Sequence, residues 1–128
     1  KLLFKYYFMF RRFMIYCDNN PSITEWGSEE LIIPYRSPID KKIHRYFPDF
    51  YIKYINKSGK VVREIIEVKP KKFLSPPKQQ KRRTRKYQKA VATYVINQAK
   101  FKAAEEFCTD RKMTFRILTE ENLVPKKK

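Results

Sequence analysis

Two glycines in 128 residues exclude whole classes of nucleotide chemistry. Neither a GxGxxG dinucleotide loop nor a P-loop can be built from Gly27 and Gly59 alone. Histidine is scarcer still: His44 stands alone, which rules out His-pair catalysis and argues against a Ser-His-Asp triad. Cys17 and Cys108 are the only cysteines, and neither has a second Cys or a His at ligand spacing, so no zinc site is expected. Two free thiols in a reducing compartment is the plain reading. Long uncharged apolar runs are missing too. Residues 1–16 are apolar and aromatic, but Lys1, Lys5, Arg11 and Arg12 interrupt them, so neither a membrane span nor a signal peptide fits. The chain begins without Met, which leaves open whether the natural N-terminus is included.

Acids are scarce relative to bases. Thirteen Asp and Glu face thirty Lys and Arg, for a net charge of +17. Such an imbalance points to a polyanion, with nucleic acid the first candidate and an anionic membrane surface the second. The membrane reading suffers from the scattered apolar pattern. The chain is nonetheless no disordered tail: 42% of it is hydrophobic and 16% aromatic, enough for one domain with a modest core, 1–128.

In chain order, Leu3 to Cys17 reads as an amphipathic helix ended by Asp18-Asn19-Asn20-Pro21. Ile23 to Tyr35 reads as a strand centred on Leu31-Ile32-Ile33, with Trp26 as a core anchor and Glu29 and Glu30 near its start. Arg36 to Lys42 reads as a loop. Phe47 to Ile55 alternates in period two and Val61 to Val68 is β-branched and apolar. Between them Asn56-Lys57-Ser58-Gly59 is turn chemistry, so the whole stretch from His44 to Lys69 reads as two strands joined by a tight turn, a hairpin. Pro76-Pro77 breaks regular structure. A helix is predicted from about Gln80 with Tyr87, Val91 and Tyr94 as its apolar stripe. Asn97 then looks like the N-cap of a further helix running to about Arg111. Thr114 to Leu118 is a short strand, and 126–128 is a basic tail.

The hairpin carries the chemistry. Glu67 and Lys69 are two apart in a strand and leave it on one face, and pairing with the strand near Asp49 can bring acid, acid and amine together. Two close carboxylates repel, and a divalent cation relieves that while holding water and a phosphate oxygen. A lysine beside them can orient the attacking water. The plain alternative is a surface hairpin with a Glu–Lys pair. Against it stand Pro48-Asp49 at hairpin spacing, the apolar setting of both acids and the basic remainder of the chain. Ten of the twenty-one residues from Lys69 to Lys89 are basic, far denser than the solvated face of an ordinary helix. Lys71, Lys72, Lys81, Arg82, Arg83, Arg85 and Lys86 are therefore assigned to nucleic-acid phosphates, with Arg36, His44 and Arg45 as additional contacts.

The P-D…E-x-K pattern resembles the PD-(D/E)xK nuclease signature. Taken with N-P-S-I-T-E-W-G-S-E-E-L-I-I-P-Y, Y-V-I-N-Q-A-K-F-K-A-A and F-R-I-L-T-E, the chain is similar to the head completion nucleases of T-even-type bacteriophages. More distantly it resembles TnsA-type endonucleases. The resemblance covers about Phe13 to Leu123. It implies an α/β fold in which a small mixed sheet is flanked by helices around a restriction-endonuclease-like core. It further implies a Mg²⁺- or Mn²⁺-dependent endodeoxyribonuclease that finishes the DNA-filled head. By position Asp49 and Glu67 would be metal ligands, aided by the backbone carbonyl of Val68. Lys69 would be the catalytic lysine, and Glu29 matches an acidic position of the first strand. Head or portal components become further candidate partners, and the host cytoplasm during assembly, or the virion, the expected location. One position departs: these families carry a Glu in the first helix where this chain has Phe10, which binds no metal. Either Glu29 covers the gap, the correspondence slips, or the chain is a weakened or non-catalytic DNA-binding virion protein that closes the filled head.

Overall fold

The computed structural model describes residues 2–123, with side chains from Tyr6 onward, so the expected basic tail at 126–128 lies outside the described residues. The first element is the expected helix α1, Leu2–Asn19. Met9, Phe13 and Cys17 recur at four-residue spacing and are buried, with Tyr6, Phe10 and Met14 packed beside them. The chain then turns on Asn20, whose side chain accepts from the Ser22 N–H at 3.0 Å.

Six strands follow: β1 (Ile23–Ser28), β2 (Ile33–Arg36), β3 (Ile43–Tyr46), β4 (Phe50–Ile55), β5 (Val61–Val68) and, near the end, β6 (Thr114–Leu118). The main sheet runs β1-β4-β5-β6, antiparallel except for the parallel β5–β6 pair, so it is mixed as expected. The β4–β5 hairpin also forms as read. Phe50 pairs with Ile66 and Ile52 with Glu64. The Asn56 side chain accepts from the N–H groups of Ser58 and Lys60 while Gly59 takes φ 78°.

Three expectations fail here. The predicted single strand from Ile23 to Tyr35 is two strands in two sheets: at Glu29 the backbone turns to φ 55° and the chain leaves the main sheet. Leu31 and Ile32 lie in the connection, not in a strand centre. The stretch around His44 and Arg45 is a strand of its own, β3, which pairs with β2 as a separate ribbon. The two helices expected around Asn97 are one helix, α2, Arg85–Asp110. Its N-cap is Thr84, whose hydroxyl accepts from the Tyr87 N–H at 3.1 Å, so it starts later than Gln80. Asn97 lies in its middle and is buried.

Alternation along β5 sends its side chains to two cores. Ile66 and Val68 join Phe50, Ile52 and the buried face of α1; Ile65 faces Ala104 and Cys108 of α2 and the β2–β3 ribbon residues Ile33, Tyr35 and Tyr46. Cys17 and Cys108 fall one in each core as free thiols. Burial lifts both thiols, Cys17 to about 12 and Cys108 to about 11, which keeps them protonated and unreactive near neutral pH. A 3₁₀ turn at Lys71–Leu74 and a short helix α3, Glu120–Leu123, complete the described chain. Among the described residues no helix is long and apolar enough to cross a membrane.

Candidate active site

Five elements meet where β4 begins and β5 ends. Asp49 is the residue just before β4, and Glu67 is the penultimate residue of β5, on the same face as Ile65. Both acids are buried, at 4% and 6% exposure. The structure brings the expected trio together. Asp49 Oδ2 accepts from the Val68 N–H at 2.8 Å, and Glu67 Oε1 accepts from the Asp49 N–H at 3.3 Å. Each acid is thus clamped by the backbone that carries the other. Lys69 Nζ lies 3.5 Å from Glu67 Oε2. Its own backbone is fixed, because the Lys69 N–H donates to Leu118 O at 2.9 Å and extends the parallel β5–β6 ladder by one rung.

Two tyrosines complete the cage. The Tyr6 hydroxyl of α1 donates to Asp49 Oδ1 at 2.7 Å, and the Tyr46 hydroxyl of β3 donates to Glu67 Oε1 at 2.7 Å. Burial and the charge of the neighbouring carboxylates push both phenols well above their ordinary range, so both remain donors. Burial, and then the Glu67 charge, lifts Asp49 to about 7 against the favourable bonds from Tyr6 and Val68. A carboxylate pair so placed attracts a positive partner.

Lys100 of α2 supplies one from behind. Its ammonium lies 5.7 Å from the Tyr46 ring and 5.8 Å from the Tyr35 ring. Burial and the Lys69 charge lower its pKa, while Glu67 opposes the shift. Sequence reasoning missed Tyr6, Tyr46 and Lys100. The aromatics have the pattern of core residues, and they do lie in the core, but their hydroxyls carry no separate signal; Lys100 is one of thirty cations.

The other assigned residues scatter. Glu29 is tied to the site by its backbone, whose N–H donates to Asp49 O at 3.1 Å, and its charge is felt at the Tyr6 hydroxyl. Its side chain is exposed, and among the described residues no group of three or more His, Cys, Asp or Glu side chains is gathered. Phe10 stacks in the α1 core with its ring centroid 4.5 Å from that of Phe50, one helical turn from Tyr6. His44 pairs with Asp40 at 2.7 Å, Arg36 donates to Lys41 O at 2.7 Å, and Arg45 sits over the Phe47 ring. Lys71 pairs with Glu121. Lys72, Lys81, Arg82, Arg83, Arg85 and Lys86 are exposed along the 3₁₀ turn, the connection to α2 and the first turn of that helix. The positive end of a helix dipole is loaded here with cations and no acid, an arrangement that favours an anionic partner.

Residues 20–120 match the family model "TnsA-like endonuclease N terminal". The chain belongs to the TnsA-like endonuclease family. It is also 37% identical over 115 residues to the "Head completion nuclease" of Enterobacteria phage T4, an alignment covering 87% of this chain and 74% of that relative. No solved structure matches. The TnsA-like match spans β1 to β6 and so includes Asp49, Glu67 and Lys69. Membership makes this a nuclease fold of the restriction-endonuclease-like kind, as the resemblance implied.

Proposed function

We propose that this chain is a metal-dependent DNA endonuclease acting in completion of the phage head. The observation that carries the reading is the buried Asp49–Glu67 pair with Lys69 Nζ 3.5 Å from Glu67. The residues fit a hard divalent cation. The two side chains offer carboxylate oxygens, no thiol or imidazole lies among their hydrogen-bond partners, and burial together with the Glu67 charge lifts Asp49 to about 7, a repulsion that a cation between them would relieve. Asp49 and Glu67 would hold Mg²⁺ or Mn²⁺, with the Val68 carbonyl beside them. Such an ion, when bound, would lower the pKa of a water and offset charge on the phosphate.

The chain's own residues do the rest. Lys69, fixed by β6, orients the attacking water and stabilises charge developing on the phosphorus oxygens. Lys100 holds a second positive charge near Glu67 and Lys69. Tyr6 and Tyr46 hold the carboxylates in one orientation, which spares the site reorganisation during reaction. Lys72, Lys81, Arg82, Arg83, Arg85 and Lys86 grip the phosphate backbone without reading sequence. The protein would act in the host cytoplasm during assembly, beside head or portal components, with the virion as a further location.

A second reading keeps the fold and drops the chemistry: a DNA-binding virion protein that closes the filled head. Phe10, which offers no oxygen, and the absence of a third gathered carboxylate among the described residues favour it. Supercoiled plasmid incubated with the protein separates the two. Nicking or linearisation only with Mg²⁺ or Mn²⁺ supports the enzyme, and DNA retention without cleavage under either ion supports the closing protein.

A further inference from the structure

Between the 3₁₀ turn and the N-terminal half of α2 lies a cavity of about 290 Å³, near the small end of ligand sites. Phe73, Pro77 and Tyr94 give it apolar and aromatic walls. Lys72, Lys86 and Lys89 line it as well, and all three are exposed. Asn97 is the only buried residue of the lining, at 7% exposure. Its amide makes no hydrogen bond among the described residues. A polar side chain so far buried ordinarily finds a partner. An Asn in mid-helix ordinarily points to solvent or bonds back to its own helix; this one does not bond back, and its amide meets solvent at the cavity, since Glu64 Oε1 is the one fully buried side-chain polar atom without a hydrogen-bond partner among the described residues. The residue with the chemistry of a helix cap is thus a free donor and acceptor facing an aromatic slot.

The lining of the slot leads along the chain toward the acid pair. Lys72 and Phe73 follow Lys69 by three and four residues. Asn97 lies three before Lys100 on α2, so both side chains share a helix face, and the Lys100 ammonium feels Lys69 and Glu67. We infer that this cavity binds the base of an unpaired nucleotide in the DNA, next to the bond to be cut. The aromatic rings stack on the base, the Asn97 amide pairs with its edge using either its N–H₂ or its C=O, and the lysines take the flanking phosphates. Charge complementarity selects a nucleotide over an apolar peptide. The inference rests on the DNA-cutting reading and narrows its substrate to DNA with an unpaired nucleotide, at an end or a branch, in preference to plain duplex.

The test compares two DNAs of equal length, a perfect duplex and the same duplex with one unpaired 2-aminopurine, without divalent metal so that only binding is read. Wild type is expected to bind the unpaired DNA about tenfold more tightly, the low end of what one stacked base contributes, with quenching of the 2-aminopurine emission. Tyr94→Ala and, independently, Asn97→Leu should lose the preference and the quenching while affinity for the duplex holds. Circular dichroism reports whether each variant folds, and Tyr94, only half buried, gives the test a variant that avoids the core. Equal affinity of wild type for both DNAs, with plasmid cleavage intact, overturns the slot and leaves the endonuclease standing. Equal affinity together with self-association abolished by Tyr94→Ala would make the slot a contact between copies and also overturn the inference. Failure to bind either DNA overturns both readings.

Discussion

Every oxygen of Asp49 and Glu67 has a partner, whereas Lys81, Arg82 and Arg83 stand exposed with no ion pair among the described residues. The difference follows from what each region would have to do. Bond cleavage needs groups held in place before substrate arrives, so the acids are buried, crossed by backbone N–H groups and capped by two phenols. Holding a polyanion needs charge density and little geometry, because each phosphate resembles the next. The acid pair should therefore respond sharply to single changes in chemistry, and the basic segment should respond only to the sum of its charge.

The largest expected effect puts one cation from each region side by side. Lys69→Ala should lower single-turnover cleavage by about 10²–10³, the usual loss when a donor to developing charge is removed. Lys81→Ala, measured at saturating protein, should leave the rate unchanged. Equal rates would erase the distinction between the two regions.

Next comes charge reversal. Arg82, Arg83 and Arg85 changed together to Glu should weaken binding to all sequences alike. The slope of log affinity against log salt should flatten by about 0.9 for each duplex phosphate that is no longer neutralised. An unchanged slope would move the phosphate-binding surface elsewhere. Thermal stability should not fall, since none of the three is buried.

A smaller change belongs to the cage. Tyr46→Phe removes the hydroxyl that donates to buried Glu67 and should lower stability by about 1.5–3 kcal/mol, the range for hydrogen bonds to charged groups. Chemical denaturation reads this directly, and no loss would mean that Glu67 is held by its other partners alone.

The last effect is in pH. Asp49 is lifted from 3.8 to about 7 in the fold, so the native state binds more protons than the unfolded chain between those values. The contribution of Asp49 is full below about pH 4 and is lost as pH rises through about 7, so metal-free stability should fall over that window. Asp49→Asn should flatten the fall, and saturating Mn²⁺ should oppose it by favouring the ionised pair. Melting curves from pH 4 to 8 check the sign.

Legibility in sequence divides along the same line. The hairpin announces itself, because alternation, β-branched residues and an Asn-Lys-Ser-Gly turn all act locally, and the spacing of Glu67 and Lys69 follows from the two-residue repeat. The density of the basic segment needs no structure to be seen. What joins them is hidden. Leu31-Ile32-Ile33 has the composition of a strand, but the turn at Glu29 carries the chain off the sheet and leaves Ile32 exposed. Asn97 has the chemistry of a cap, yet helix continues on both sides of it because Thr84 caps α2 and the Asn97 amide faces a cavity instead. Tyr6, Tyr46 and Lys100 reach the acids from three separate elements, and such convergence is set by tertiary packing, which no local pattern encodes.

In the proposed function the Asp49–Glu67 pair holds the metal that enables DNA cutting. Plasmid cleavage by wild type and Asp49→Asn, each shown to be folded and each titrated with Mg²⁺ and Mn²⁺, tests it most directly. We expect wild type to cleave only with the metal, and the Asp49→Asn variant to retain DNA binding while losing both cleavage and calorimetrically measured Mn²⁺ binding. Cleavage and Mn²⁺ affinity equal in the two proteins would contradict it.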